Sequence, residues 1–186
     1  MKLTRILVVL ALALVAGSCS KGSGGVAVID TDFGQIKIKL DAATAPKHVE
    51  NFTKLAREGF YDGLAFHRSV PSLLIQGGDP NTRTDDRNTW GMGQPGQPKV
   101  QAEFSQKPFV RGTLGAARAN DPNSASSQFF ICLRDNPSWN GKYTVFGEVI
   151  EGIEVVDKIA AQPTQPGDPG SKLLNKVVMK KVTIQD

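Results

Sequence analysis

Cysteine and histidine are scarce in this sequence, whose 186 residues include two of each. The cysteines stand far apart, at Cys19 near the start and at Cys132 within an apolar run. A single thiol in the body of the chain cannot form an internal disulfide, and a lone buried cysteine usually acts as a small apolar side chain. His48, His67 and one cysteine do not match the spacing of a familiar zinc site. We therefore expect no disulfide framework, no metal ion and no other cofactor.

Long apolar runs and dense clusters of positive charge are also missing. The one extended apolar run, at residues 6–16, is shorter than the about 20 residues that a membrane helix needs. The formal net charge of +4 becomes +2 when Lys2 and Arg5 are subtracted. Since no Lys/Arg-rich segment remains in the rest of the chain, we expect no nucleic-acid partner.

The first residues have the layout of a secretion signal. Two cationic residues precede the apolar run, and A-G-S-C at residues 16–19 resembles the lipobox of bacterial lipoproteins, whose cysteine is lipidated. An ordinary cleaved signal is the alternative. We predict a signal peptide at 1–18, a lipidated Cys19 with a flexible tether at 19–25, and one folded domain at 26–186. The expected location is the bacterial cell envelope, outside the cytoplasm on a periplasmic or surface face, with the membrane bound through the N-terminal lipid.

Hydrophobic periodicity predicts a β-rich domain with two helices. Ile36, Ile38 and Leu40 alternate with lysines, as in a half-buried strand. Between Thr44, a suitable N-cap, and Gly59, a stop signal, the apolar spacing becomes that of an amphipathic helix, and a second helix is predicted at 153–161. Strand-like segments occupy 26–29, 36–40, 64–70, 73–76, 110–116, 128–133, 143–150 and 177–184. Eight short strands and two helices favour a closed, eight-stranded antiparallel β-barrel capped by the two α-helices.

Three segments resemble signature blocks of the cyclophilin family. F-H-R-S-V-P-S-L-L-I-Q-G-G-D-P at 66–80 is similar to the central block, and G-T-L-G-A-A-R-A-N-D-P-N-S-A-S-S-Q-F-F-I at 112–131 to the second block in its bacterial form. G-K-Y-T-V-F-G-E-V at 141–149 resembles the third block. The blocks stand in the family's order across the chain after residue 26. The resemblance implies an eight-stranded barrel with two helices and a peptidyl-prolyl cis-trans isomerase that acts on proline-containing polypeptides during protein folding.

Rotation about an X-Pro bond requires little chemistry. The barrier of about 18–20 kcal/mol is amide resonance, and the twisted transition state leaves the prolyl nitrogen with a free lone pair. A donor aimed at that nitrogen stabilises the transition state more than either planar ground state. An apolar pocket holds the pyrrolidine ring while the other side of the bond rotates. Such a site needs no metal, nucleophile or cofactor.

The resemblance assigns two catalytic residues. Arg68 matches the family's catalytic arginine, and a permanently charged fork of N–H groups suits the role. The alternative is that Arg68 merely pairs with an acid such as Asp79 or Glu103. Gln76 matches the glutamine that holds the arginine and the substrate backbone, and its alternative role is that of a satisfied amide at a sheet edge.

The resemblance also implies an apolar substrate groove. Phe130 matches the floor of the proline pocket, whereas Phe129 or Ile131 beside it is interpreted as a core residue. His67 is either a wall of the pocket or a packed ring. The expected substrate-binding residues are Phe66, His67, Leu73, Leu74, Ala117, Arg118, Phe130, Ser138, Trp139 and Tyr143.

The sequence departs from the best-known family pattern at the groove. Leu73 stands where phenylalanine is usual, Leu74 where methionine is usual, and Tyr143 where histidine is usual. Ser138 falls where a tryptophan or phenylalanine lines the rim, and the alternative is that Trp139 takes that place. Leucines keep the pocket apolar, so we expect proline to bind, but a serine at the rim predicts weak binding of cyclosporin, the family's macrocyclic inhibitor.

A second class of function stays open from the sequence. A domain of this kind could bind proline-containing segments as a chaperone or adhesin module with little turnover. Arg68 and Gln76 favour the enzyme, because loss of the arginine is the expected mark of a non-catalytic relative. We expect the protein to act as a monomer.

Overall fold

A curled antiparallel sheet of nine strands forms the body of the protein in the computed structural model, which describes residues 24–168 and 171–186. The predicted signal peptide and the Cys19 anchor lie outside the described residues. The strands lie in the order β8-β3-β4-β6-β5-β7-β2-β1-β9. In chain order the elements are β1 (Val26–Thr31), β2 (Gly34–Leu40), α1 (Pro46–Arg57), β3 (Ala65–Val70), β4 (Leu74–Gly77), β5 (Thr113–Ala116), β6 (Phe129–Cys132), β7 (Val145–Glu151), α2 (Ile153–Ala160), β8 (Lys172–Val178) and β9 (Lys181–Gln185).

The predicted fold class is confirmed, but the number of strands is nine rather than eight. The single strand predicted at 177–184 is divided where the chain changes partner. The N–H of Met179 donates to the carbonyl of Leu64 at 2.8 Å, next to β3, and the N–H of Lys180 donates to the carbonyl of Asp30 at 2.8 Å in β1. Within the described residues no ladder joins β8 to β9, so the sheet is a curled half-barrel rather than a closed ring of ladders.

Alternation along β6 divides the apolar residues between two clusters. Phe129 and Ile131 face the interior, where they join the main core with Phe52 of α1. Phe130 and Cys132 point to the opposite face and pack in a second cluster with Leu74, Phe109 and Val145. The expectation that Phe129 or Ile131 is a core residue is therefore confirmed, and it holds for both. The second cluster is the foundation of the site described below.

Both predicted helices are present, and each covers part of the sheet. α1 lies against β7 and β9, and α2 lies against β2, β3 and β4. α2 ends at Ala160, one residue before the predicted end. No helix within 24–168 and 171–186 combines the length and apolar character that crossing a membrane would take.

The predicted N-cap of α1 is wrong. Ala45 occupies the cap position and offers no side-chain bond; the carboxylate of Glu103 caps the helix instead. It accepts hydrogen bonds from the N–H groups of Lys47 and His48, both at 3.0 Å, and from Nδ1 of His48 at 2.7 Å. Burial alone would raise the pKa of Glu103, but the bonds from His48 and Lys47 outweigh it and lower that pKa.

Candidate active site

Arg68 and Gln76 lie directly opposite each other on β3 and β4. Nη1 of Arg68 donates to Oε1 of Gln76 at 3.0 Å, and Nε2 of Gln76 donates to Oε1 of Gln128 at 2.9 Å. Nε2 of Gln128 then donates to the carbonyl of Gly91 at 3.2 Å. This chain of amides fixes one side of the guanidinium. Gln128 was not among the residues predicted for the site, although it lies within the second signature block.

A β-bulge determines which way Arg68 points. The register of β3 shifts between Phe66 and Arg68 against both neighbouring strands, β4 and β8. Residues two apart on a regular strand would share a face, but a bulge re-aims the side chains that follow it. As a result Phe66 is fully buried in the main core, whereas Arg68 reaches the outer face. The structure therefore does not bring Phe66 into the groove.

His67, next to the bulge, is a packed ring rather than a wall of the groove. It is 1% exposed and lies beneath the loop that follows β4, near Asp79 and Gly91. Burial lowers the pKa of His67 to about 4, although the charge of Asp79 opposes the shift. His67 is therefore neutral near pH 7.

Asp79 and Glu103, the two acids named above as alternative partners of Arg68, have other roles. Glu103 caps α1, as described above. Asp79 is fully buried, and its carboxylate accepts the N–H groups of Asn81, Gly91 and Gly93. These bonds tie the loop after β4 to the sheet, and that loop supplies the carbonyl to which Gln128 donates.

A groove of about 220 Å³ opens beside Arg68 on the outer face of the sheet. Every residue lining it had been predicted from the sequence. Its lining consists of Arg68, Leu73, Leu74, Gln76, Ala117, Arg118, Phe130, Trp139 and Tyr143. Of the other predicted residues, Phe66 and His67 are buried elsewhere, and Ser138 is exposed with its hydroxyl donating to Oδ1 of Asn136 at 2.6 Å.

Phe130 forms the floor of this groove and is enclosed by aromatic rings. Phe109 stacks with it at a centroid distance of 5.9 Å, while Trp139 at 5.3 Å and Tyr143 at 5.9 Å present edges. Such pairs stabilise one another beyond the area that they bury. Of the two rim arrangements left open by the sequence, the structure has Trp139, not Ser138, in the groove. Phe109 was missed because it lies outside the signature blocks.

The guanidinium of Arg68 is only partly accessible to water. Burial lowers the pKa of Arg68, and the nearby Asp168 and Tyr143 act in the opposite direction. The group stays charged at any physiological pH, because arginine does not lose its proton in proteins. A donor in such a partly desolvated place forms stronger hydrogen bonds than it would in water.

The cysteine behind the floor contributes packing rather than chemistry. Cys132 is fully buried, and burial raises its pKa to about 12. A thiol with so high a pKa is a poor nucleophile. Throughout the described ranges, no group of three or more His, Cys, Asp or Glu side chains is arranged to hold a metal ion.

A fixed, charged donor at the wall of an apolar pocket defines a class of site. The pocket can hold a small ring against Phe130, and Arg68 can donate to an atom at the ring's edge. No nucleophile is placed to attack, since the rest of the lining consists of two leucines, an alanine, aromatic rings, the amide of Gln76 and a second arginine, Arg118. This arrangement suits an isomerase that stabilises a twisted bond.

The chain belongs to the cyclophilin-type family. The family described as "Cyclophilin type peptidyl-prolyl cis-trans isomerase/CLD" matches residues 26–185. A Brucella suis protein named "Probable peptidyl-prolyl cis-trans isomerase" is 48% identical over 130 residues, which cover 68% of this chain and 66% of that protein. Arabidopsis thaliana "Peptidyl-prolyl cis-trans isomerase CYP18-1" is 39% identical over 159 residues, covering 84% of this chain and 93% of that one.

Solved structures support the same family. A Cryptosporidium parvum cyclophilin-type peptidyl-prolyl cis-trans isomerase is 29% identical with a TM-score of 0.76, and the match covers 87% of this chain and 98% of that one. The same protein in the presence of the dipeptide Ala-Pro gives 30% identity and a TM-score of 0.75, covering 87% and 99% of the two chains.

Proposed function

We propose that this protein accelerates cis/trans isomerisation of X-Pro bonds in polypeptides outside the cytoplasm, as a folding catalyst. The observation that carries the proposal is the bond from Arg68 Nη1 to Gln76 at 3.0 Å on the wall of a groove floored by Phe130. Family membership and the relatives named as isomerases support it. The Ala-Pro dipeptide present with the Cryptosporidium parvum protein is a fragment of such a substrate.

Some groove residues hold the pyrrolidine ring, and others stabilise the twisted X-Pro bond. The pyrrolidine ring rests on Phe130, with Leu74 and Trp139 closing the sides, so that one half of the bond is fixed. The acyl half rotates, and amide resonance is lost as it turns. Arg68 then donates to the prolyl nitrogen, whose lone pair is free only in the twisted state. Gln76 keeps the fork in place, so little reorganisation is needed when the lone pair develops.

A binding module without turnover is the second candidate. Leu73 and Leu74 give the groove leucine walls, which hold a proline less firmly than aromatic walls would. The position of Arg68 favours catalysis. A donor aimed at the prolyl nitrogen stabilises the twisted bond but adds nothing to the binding of a planar X-Pro segment, so a module that only bound proline would not need it. The two candidates differ in whether bound peptide exchanges faster.

The test is NMR exchange spectroscopy on a short X-Pro peptide with a chelator present. Uncatalysed exchange takes roughly 10–100 s, so even modest catalysis is measurable. We expect added protein to accelerate the exchange with no metal or nucleotide. Peptide binding without faster exchange would instead identify the binding module.

We further propose that Cys19 carries lipid and holds the domain at a membrane. The support is the A-G-S-C segment after the apolar run and the short distance to the folded domain, since Cys19 stands five positions before Gly24. Even fully extended, those positions span about 17 Å, so the catalytic domain would work close to the membrane surface. One acyl chain binds only weakly, so firm attachment requires several chains.

Mass spectrometry of the mature protein tests the anchor. We expect the chain to begin at a lipid-modified Cys19, and a Cys19→Ser variant to be found in the soluble fraction. An unmodified N-terminus at any other residue would disprove the anchor without affecting the isomerase proposal.

A further inference from the structure

Arg118 borders the groove, yet its guanidinium is bonded within the protein. Nη1 donates to the carbonyls of Ala119 at 2.8 Å and Asn120 at 3.3 Å, and Nη2 donates to the carbonyl of Lys142 at 3.0 Å. Its Cζ atom lies 4.4 Å from the centre of the Tyr143 ring. One side chain therefore joins the loop after β5 to the segment that precedes β7, across the rim of the groove.

The loop that receives these bonds is itself held in place. The N–H of Ala119 donates to Oγ of Ser124 at 2.9 Å, and the same hydroxyl donates to the carbonyl of Asp121 at 2.5 Å. The N–H of Val100 donates to the carbonyl of Ala125 at 2.8 Å. Because the loop is fixed at several points, the guanidinium that it binds is fixed too.

The same side chain stands between two cavities. A second cavity of about 320 Å³ lies beyond the groove, and the two share three lining residues: Gln76, Ala117 and Arg118. Ala117 is short, and Gln76 is engaged by Arg68 and Gln128. Arg118, whose guanidinium stacks on Tyr143, therefore has the largest side chain of the three residues that border both cavities.

We infer that Arg118 is a positioning residue for the rim and limits the size of the residue that flanks the bound proline. It holds Tyr143, whose ring packs against Trp139 at a centroid distance of 5.6 Å, and it closes the groove on that side. The inference rests on the proposed isomerase function and gives Arg118 a more specific role than that of a substrate-binding residue, which the family resemblance implies. A planar fork that stacks and bonds to three carbonyls is needed, and lysine cannot reproduce it.

The first readout is selectivity. Peptides with alanine or tryptophan placed before or after the proline are compared by kcat/KM, using the full chain in detergent. We expect the wild type to favour alanine at one of the two positions, and Arg118→Ala to reduce that preference by about tenfold, the range that one side of an apolar pocket commonly provides. Arg118→Met fills similar volume without the bonds, so it should retain part of the preference. KM for the alanine peptide should rise more than kcat falls, because Arg68 is untouched.

The second readout follows the rim without any substrate. With 5-fluorotryptophan incorporated, the ¹⁹F resonance of Trp139 should shift and broaden in Arg118→Ala, while that of Trp90, assigned with Trp90→Phe, stays in place. Arg83→Ala is the matched control, because Arg83 also donates to two carbonyls, those of Phe60 and Asp62, but does not line the groove. It should alter neither readout.

The outcomes separate this inference from the function that it rests on. An unchanged preference and an unchanged Trp139 resonance in a folded Arg118→Ala protein overturn the inference and leave the isomerase proposal intact. If Arg118→Ala does not fold, Arg118→Met and Arg118→Lys decide by the same measurements. Absence of catalysed exchange in the wild type defeats the isomerase proposal, whereas the fluorine spectra still test whether Arg118 positions the rim.

Discussion

Replacing Gly115 with alanine should disable the groove by displacing its floor. Gly115 lies in β5 directly beneath the Phe130 ring, and a Cβ added there would stand 2.3 Å from Cζ and 2.7 Å from Cε2 of that ring. Ordinary carbon contacts are about 3.5–4.0 Å, so the ring would have to move by more than about 1 Å. β5 cannot retreat, because it is paired with β6 on one side and β7 on the other.

Two magnitudes follow from that displacement. Forcing an extra methyl group into a packed cluster costs about 1–3 kcal/mol of stability. A shift of about 1 Å in a group that positions the substrate can lower the rate about 10²-fold. Phe109 and Trp139 already enclose Phe130, so its ring can move only towards the groove and narrow it. We therefore expect a folded protein with a much reduced kcat/KM.

Gly147→Ala is the matched control for this variant. A Cβ at Gly147 in β7 would stand 2.8 Å from the carbonyl oxygen of Lys39 and 3.2 Å from Cδ2 of Leu114, so it crowds the sheet without touching Phe130. Urea unfolding should give comparable losses of stability in the two variants, whereas exchange measurements should find most of the activity retained in Gly147→Ala. Near-wild-type activity in a folded Gly115→Ala would refute the role of Phe130 as the floor of the groove.

Three further predictions concern pH, the helix cap and the rim. The pKa of His67 is about 4 in the folded protein against an ordinary 6.5. As the pH falls below 6.5, this imidazole therefore takes up a proton in the unfolded chain but stays neutral in the folded protein. The free energy of unfolding should fall by up to about 3 kcal/mol between pH 6.5 and 4 for this reason. Denaturant titrations at several pH values should find a smaller loss of stability in His67→Gln. An equal dependence of the free energy of unfolding on pH in both proteins would contradict a neutral, buried His67. Glu103→Gln keeps the size of the cap but loses its charge, so we expect about 1–3 kcal/mol lower stability, measured by urea unfolding; an unchanged midpoint would refute the cap. Since Trp139 and not Ser138 lies in the groove, the reason for expecting weak cyclosporin binding no longer holds. We expect calorimetry to find binding that is lost in Trp139→Ala, and equal binding by wild type and that variant would contradict a rim role for Trp139.

The lining of the groove could be predicted from the sequence because most of its residues lie within the signature blocks. Eight residues of those blocks converge on one cavity, together with Trp139, which lies two positions before the third block. Alternation in β2 was equally informative, since Ile36, Ile38 and Leu40 are all buried there. Such local patterns are visible in the sequence because neighbouring residues determine them.

Contacts between distant parts of the chain could not be predicted in this way. Glu103 caps α1 from 55 residues away, and no local pattern marks it as a cap. The bulge that separates Phe66 from Arg68 depends on pairing with β4 and β8. At Met179 the chain stops pairing with β3 and begins to pair with β1. That change depends on where β3 and β1 lie in the fold, so hydrophobic periodicity in the sequence cannot predict it.

The central claim is tested most directly by the exchange rate of an X-Pro peptide with wild type and Arg68→Ala at saturating peptide. Loss of one well-placed donor typically lowers the rate about 10²–10³-fold, and we predict a loss of that size in a variant whose circular dichroism and peptide binding remain close to those of the wild type. Arg68→Lys should recover little of the rate, because a single ammonium does not reproduce the fork held by Gln76. Near-wild-type turnover in a folded Arg68→Ala protein would contradict the account.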